Sequence, residues 1–258
     1  MKRAESMKKS LFKDWKLLIS ETNIFLKAHG TFLAQEANQT STYFEMACYN
    51  YLIKYYESNN FSTLIKNLEP DTGAFRYKLT PTGYPENFSY FEVKKEYKKE
   101  KKHYCFELRQ NVSIQSAFSK DIFLTPDFVV AKKGTLKTRR RKKYYKGIRN
   151  LRYYRASDLA TFAESKNYNP SPELVVNYIG IINELYPSII KKNKLPENKP
   201  KHLAPSLMIS GKGNNHTRII QSDLVSRYRM NIFYGLFYRK SQVYSKSHQN
   251  SIAKIGTR

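Results

Sequence analysis

The chain has 258 residues, 46 Lys and Arg against 21 Asp and Glu for a net charge of +25, and 40% hydrophobic residues. That length and apolar content exclude a disordered polyelectrolyte and suffice for one sizeable core. A charge so one-sided calls for a polyanionic partner, nucleic acid ahead of a membrane surface, since no run approaches the roughly 18 apolar residues of a spanning helix.

Leu11, Trp15, Leu18, Ile19 and Phe25 recur at helical spacing and predict a first helix over 5–29, closed by Gly30. With the polar stretch that follows, it makes residues 1–40 an N-terminal helical extension. No apolar signal segment follows Met1-Lys2-Arg3-Ala4-Glu5. Thr40 or Ser41 can cap a second helix over 42–57, which sets Phe44, Ala47, Cys48, Tyr51, Leu52 and Tyr55 on one face and Glu45 at its edge. Turn formers between 58 and 86 predict a loop-rich connection with a short helix at 61–68. Alternation then predicts strands near 87–97 and 103–112, joined by the charged tip Lys98-Lys99-Glu100-Lys101-Lys102. Cys48 and Cys105 are far apart and lack metal-ligand spacing, so they are expected as free thiols of a cytoplasmic protein without structural zinc.

Two further apolar segments, 122–130 and 159–167, read as short buried strands with charge at one tip. The first contains Thr125-Pro126-Asp127 and the second Glu164-Ser165-Lys166. Between them, residues 131–157 hold twelve basic residues and no acid, with Tyr144, Tyr145, Tyr153 and Tyr154 interleaved. Lys137, Arg139, Arg140, Arg141, Lys142, Lys143, Lys146, Arg149 and Arg152 of this insert are the expected nucleic-acid contacts, to a duplex backbone or to unpaired bases. Ser171-Pro172-Glu173 is a strong helix start, followed by a stripe of Leu174, Val175, Tyr178, Ile179, Ile182 and Leu185. A core strand is predicted over 203–210, broken by Gly211-Lys212-Gly213, which lacks the spacing of a phosphate-binding loop. A last helix is predicted over 216–237, and the basic tail 239–258 is expected to add nonspecific affinity.

On a strand, residues i and i+2 project together, so Glu164 and Lys166 share a face and Ser165 lies on the other. If the Asp127 strand runs alongside, two carboxylates meet in a hard oxygen site suited to Mg²⁺ or Mn²⁺, with Lys166 to orient a water and neutralise developing charge.

Pro126-Asp127 with Glu164-Ser165-Lys166 resembles the signature of the PD-(D/E)xK, restriction-endonuclease-like nucleases, and the pattern of elements from about residue 40 to 236 is similar as well. The separation, 164 − 127 = 37 positions, is long for that family, and the basic insert accounts for it. The resemblance implies an α/β domain over 41–238, a central mixed sheet flanked by helices. It implies metal binding by Asp127 and Glu164, catalysis by Lys166, and hydrolysis of phosphodiester bonds, most simply in DNA. Because the helix before the first strand often adds an acid in that family, Glu45 is the candidate third ligand. Restriction or anti-phage defence and mobile-element processing are the expected settings, with a homodimer or a targeting or assembly partner as the expected context. An end-cleaving subunit of a transposase-like complex and a non-catalytic nucleic-acid-binding protein are the alternatives.

Overall fold

A computed structural model describes residues 15–31, 40–142, 148–189 and 200–236. Their elements in chain order are α1 (Trp15–Lys27), α2 (Thr40–Ser58), β1 (Ser62–Lys66), β2 (Tyr90–Tyr97), β3 (Lys102–Gln110), β4 (Ser113–Gln115), β5 (Phe123–Leu124), β6 (Phe128–Lys132), β7 (Lys137–Lys142), β8 (Ile148–Arg155), β9 (Leu159–Lys166), α3 (Pro172–Leu185), β10 (Ser206–Ile209), α4 (Asn215–Arg227) and β11 (Asn231–Phe233). The fold is α/β. A seven-stranded mixed sheet of order β1-β2-β3-β6-β9-β10-β11 forms its centre, with a second sheet of order β5-β4-β8-β7. The first five strands of the central sheet pair antiparallel, whereas β9, β10 and β11 run parallel and are linked through α3 and α4.

Strand alternation sends side chains to two apolar clusters, one on each side of the central sheet. Phe91, Leu108, Phe128, Val130 and Ala163 face α1 and α2, meeting Leu26, Phe44, Tyr49 and Tyr56. Val129, Ala131, Phe162, Leu207 and Ile209 face α3, α4 and the second sheet, meeting Val175, Tyr178, Leu224, Ile114 and Tyr154. A sheet covered on both faces buries the middle strands, which is why the β6 sequence Phe128-Val129-Val130-Ala131 is continuously apolar.

A buried ionic knot joins the two sheets. Arg109 Nε donates to Glu107 Oε2 at 2.8 Å, Tyr154 Oη donates to the same oxygen at 2.6 Å, and an Arg109 Nη donates to the Pro85 carbonyl at 3.0 Å. The guanidinium also lies 3.6 Å from the ring centre of Tyr90. Burial disfavours the Glu107 carboxylate, but Arg109 and the hydrogen bonds outweigh that and hold its pKa below the usual value.

Several expectations are corrected. Residues 61–68 hold strand β1 rather than a helix: its alternating positions pair with β2 from Ser62↔Lys94 to Lys66↔Tyr90, and this tertiary pairing overrides local propensity. The segment 122–130 is two strands in different sheets, β5 and β6, separated where Pro126 withholds a ladder donor. The helix predicted over 216–237 stops at Arg227, and Asn231–Phe233 becomes β11 because β10 offers a free parallel edge that buries Met230 and Ile232. Ser171 caps α3 by accepting from the Leu174 amide at 3.2 Å. The first helix is described from Trp15 onward; residues 5–14 and the tail 239–258 lie outside the described residues. Cys48 is buried, Cys105 half-buried, and both are free thiols. Among the described residues no helix is long and apolar enough to cross a membrane.

Candidate active site

The site lies where β6 begins and β9 ends. These neighbouring antiparallel strands pair Phe128↔Ala163, so the next pair outward brings Asp127 opposite Glu164. Lys166 Nζ then reaches both carboxylates, at 2.7 Å from Glu164 Oε2 and 3.5 Å from Asp127 Oδ2. The three residues expected together from the sequence are thus brought to one point. Ser165 departs from its expected place away from the site: its amide and hydroxyl both donate to Asp127 Oδ2, at 2.7 and 3.0 Å. Asp127 lies one residue before β6, outside its ladder, so its carboxylate can reach the β9 backbone and the short serine side chain.

Glu45 enters from α2. Asn111 connects it to the strand ends, donating through Nδ2 to Glu45 Oε1 and to the Lys78 carbonyl, both at 2.8 Å, while its amide donates to the Asp127 carbonyl at 2.9 Å. Asn111 has φ of 50°, a left-handed conformation that asparagine tolerates better than most residues. The buried Lys78 Nζ donates in turn to the Asn111 carbonyl at 2.9 Å.

Charge is unbalanced here. Burial, then the charge of Asp127, pushes Glu45 up to about 8, although its bond from Asn111 and the Lys166 charge oppose the rise. Burial, then Asp127, lifts Glu164 to about 7 against the pull of Lys166. Burial works against the Lys166 ammonium, but Glu164 and Asp127 prevail and hold its pKa above that of an ordinary lysine. Among the described residues Glu45, Asp127 and Glu164 face the Lys166 ammonium, with Lys78 one step removed behind Asn111, so the acids outnumber the cations.

Among the described residues no three His, Cys, Asp or Glu side chains close into a metal cage. Mg²⁺ seldom needs one: it is usually held by one or two carboxylates, with water and substrate phosphate oxygens completing six positions. Asp127 and Glu164 fit that donor set, and their shared cation, Lys166, is the group a divalent ion would partly displace.

Sequence reasoning also missed Tyr178 of α3. It packs against Phe162 with ring centres 6.0 Å apart, and its buried hydroxyl has no hydrogen-bond partner among the described residues. Burial raises its pKa, and the nearby charges of Glu164 and Asp127 raise it further. The sequence registers Tyr178 only as one more apolar-stripe residue.

The basic insert folds into an antiparallel ribbon, β7 with β8, paired from Lys137↔Tyr153 to Lys142↔Ile148. Arg139 and Arg152, expected to contact nucleic acid, are engaged within the protein. Arg139 donates to Asp121 Oδ1 at 2.7 Å and to the Lys120 carbonyl at 2.6 Å; Arg152 Nε lies 2.8 Å from Glu86 Oε1, with its guanidinium near the Tyr84 ring. The reason is position: both lie near the ribbon's root, within reach of the β4–β5 turn and the loop before β2. Lys137 and Arg140 are exposed. Arg141, Lys142 and Arg149 hold register positions toward the tip, and Lys143 and Lys146 lie outside the described residues.

Comparison with protein-family models, curated protein sequences and solved structures gives no match to this chain.

Proposed function

We propose that this chain is a metal-dependent nuclease of the restriction-endonuclease-like kind, hydrolysing phosphodiester bonds in DNA by attack of an activated water. The observation that carries the reading is the convergence of Asp127, Glu164 and Lys166 within 3.5 Å of one ammonium, from residues 37 positions apart at the ends of adjacent strands. An excess of buried acid over Lys166 is costly in a merely structural ion pair, and perturbed carboxylates of this kind cluster at functional sites.

Asp127 and Glu164 would hold Mg²⁺ or Mn²⁺, with Glu45 behind them as a further acidic group. When bound, such an ion supplies Lewis-acid polarisation of the phosphate and a water of lowered pKa. Ser165 and Asn111 fix Asp127 from its side chain and its carbonyl, so the carboxylate is held ready before substrate arrives. Lys166 would help orient the attacking water and, as a cation, donate a hydrogen bond where negative charge develops on the phosphate oxygens. Mn²⁺ binding by calorimetry tests the donor set: wild type should bind, and Asp127→Asn should bind at least about tenfold more weakly, a loss of about 1.4 kcal/mol. Equal binding by the two proteins would remove Asp127 from the metal site.

A further inference from the structure

The β7–β8 ribbon carries more information than its charge. β8 pairs with β4 only through Tyr153–Arg155, opposite Ser113–Gln115, so residues 148–152 pair with β7 alone. Of these five pairs, Thr138↔Arg152 and Arg139↔Leu151 carry arginines tied to the body, and Arg140–Lys142 with Ile148–Asn150 run on beyond them by three residues, roughly 10 Å at about 3.4 Å per residue. The direction is fixed by β4, which runs parallel to β8 and starts two residues after Asn111, the residue that touches Glu45. Ser113 Oγ also lies 2.9 Å from Thr125 Oγ1, two residues before Asp127. The ribbon is thus an arm that leaves the body beside the candidate active site.

Its root is held from both faces. Arg139 ties one face to Asp121 and Arg152 ties the other to Glu86, and Tyr153 packs on Phe123 with ring centres 5.1 Å apart. The sequence of 131–157 contains no acid, and Arg141 holds the register position directly opposite Arg149. Like charges across a strand pair are destabilising, and a lone two-stranded ribbon is marginal in water. Such an arm gains stability from a polyanion that surrounds it. Basic residues also occupy both parities of β7, Lys137 and Arg141 on one and Arg140 and Lys142 on the other, so the sequence leaves neither parity without cationic positions besides the engaged Arg139. A ribbon lying flat on a backbone needs charge on one face; a ribbon seated between two phosphate walls needs it on both.

We infer that the β7–β8 arm seats in the major groove of B-form duplex DNA flanking the bond held at Asp127, Glu164 and Lys166. The major groove of B-DNA, about 12 Å wide, admits a two-stranded ribbon. The deep, narrow major groove of A-form RNA does not. The inference rests on the nuclease reading only in taking a nucleic acid as partner, and it selects duplex DNA over RNA and over single strands.

The test is binding of full-length protein, in EDTA so that nothing is cut, to a labelled DNA duplex, the same sequence as double-stranded RNA, and the single strand. The DNA duplex is expected to bind at least about tenfold tighter than either alternative at equal salt. Glucosylated hydroxymethylcytosine, which fills the major groove, should weaken binding by about tenfold or more, while the minor-groove ligand netropsin should leave it within about twofold. The triple variant R140S/R141S/K142S should lose the sensitivity to glucosylation and flatten the dependence of log K on log salt by about 2 to 3. Equal affinity for double-stranded RNA or single strands, or indifference to glucosylation, overturns the inference. Binding as described by a chain that never cuts would sink the nuclease reading and leave the arm; cutting with indifference to the triple substitution would sink the arm alone.

Discussion

Replacing Lys166 by methionine removes the one ammonium shared by Glu164 and Asp127 while keeping much of the side-chain volume. Truncating one member of a buried ion pair typically costs about 3–5 kcal/mol, because the partner is left charged and unpaired. The loss should be smaller here, because the Lys166 side chain is 29% exposed and Glu164, already lifted to about 7, can take up a proton instead. At pH 8, where wild-type Glu164 is ionised and paired with Lys166 but the variant must either hold a proton on Glu164 or leave it unpaired, we expect a loss of about 2–3 kcal/mol, or about 4–12 °C in Tm for a chain of this size. Without Lys166 the Glu164 pKa rises further, so the folded state binds more protons than the unfolded state across pH 5–8 and stability falls more steeply with pH than in wild type. Near pH 5.5 the loss should shrink to about 1 kcal/mol or less. Thermal melts of both proteins at the two pH values are the assay. Equal melting at pH 8, or a loss independent of pH, would refute the argument that Lys166 is the counter-charge of a strained acidic pair.

Glu45→Gln should act in the opposite direction. The folded pKa of Glu45, about 8, lies above its ordinary 4.5, so ionising it costs stability progressively as pH rises between those values. At about 1.4 kcal/mol per pH unit, the variant should be more stable than wild type by about 2–4 kcal/mol at pH 8 and nearly equal near pH 5. Urea unfolding at the two pH values reads this, and a destabilised variant at pH 8 would mean that Glu45 is already neutralised by a group other than Asn111. Arg109→Met strands the buried Glu107 and should cost about 3–5 kcal/mol; the double variant with Glu107→Met should recover most of it, and additive losses in urea midpoints would contradict a coupled knot.

The candidate trio was legible because strand alternation and charge at strand tips are local signals: Glu164 and Lys166 share a face by spacing alone, and Asp127 sits in the apolar segment that holds β6. The helices α1, α2 and α3 were legible from apolar periodicity, and Ser171 from its capping chemistry. What was not legible is tertiary. Strand β1 reads as a helix until β2 is present to pair with Leu64 and Ile65, and β11 reads as the tail of α4 until the free edge of β10 appears. The second sheet could not be seen because β4 and β5 are only three and two residues long. Asn111 gave one weak signal, an asparagine between two strands, where a left-handed turn is common. Arg139 and Arg152 read as two more charges in a run, and only their neighbours Asp121 and Glu86 distinguish a root from a tip.

The central claim is that Asp127, Glu164 and Lys166 form one metal-dependent hydrolytic site. It is tested most directly by incubating supercoiled plasmid with Mg²⁺ or Mn²⁺ and wild type, Asp127→Ala or Lys166→Ala protein, with EDTA controls. The account predicts nicking or linearisation by wild type only, abolished by EDTA and lost in both variants while they remain folded. Undiminished cutting by either variant, or by wild type in EDTA, would contradict it.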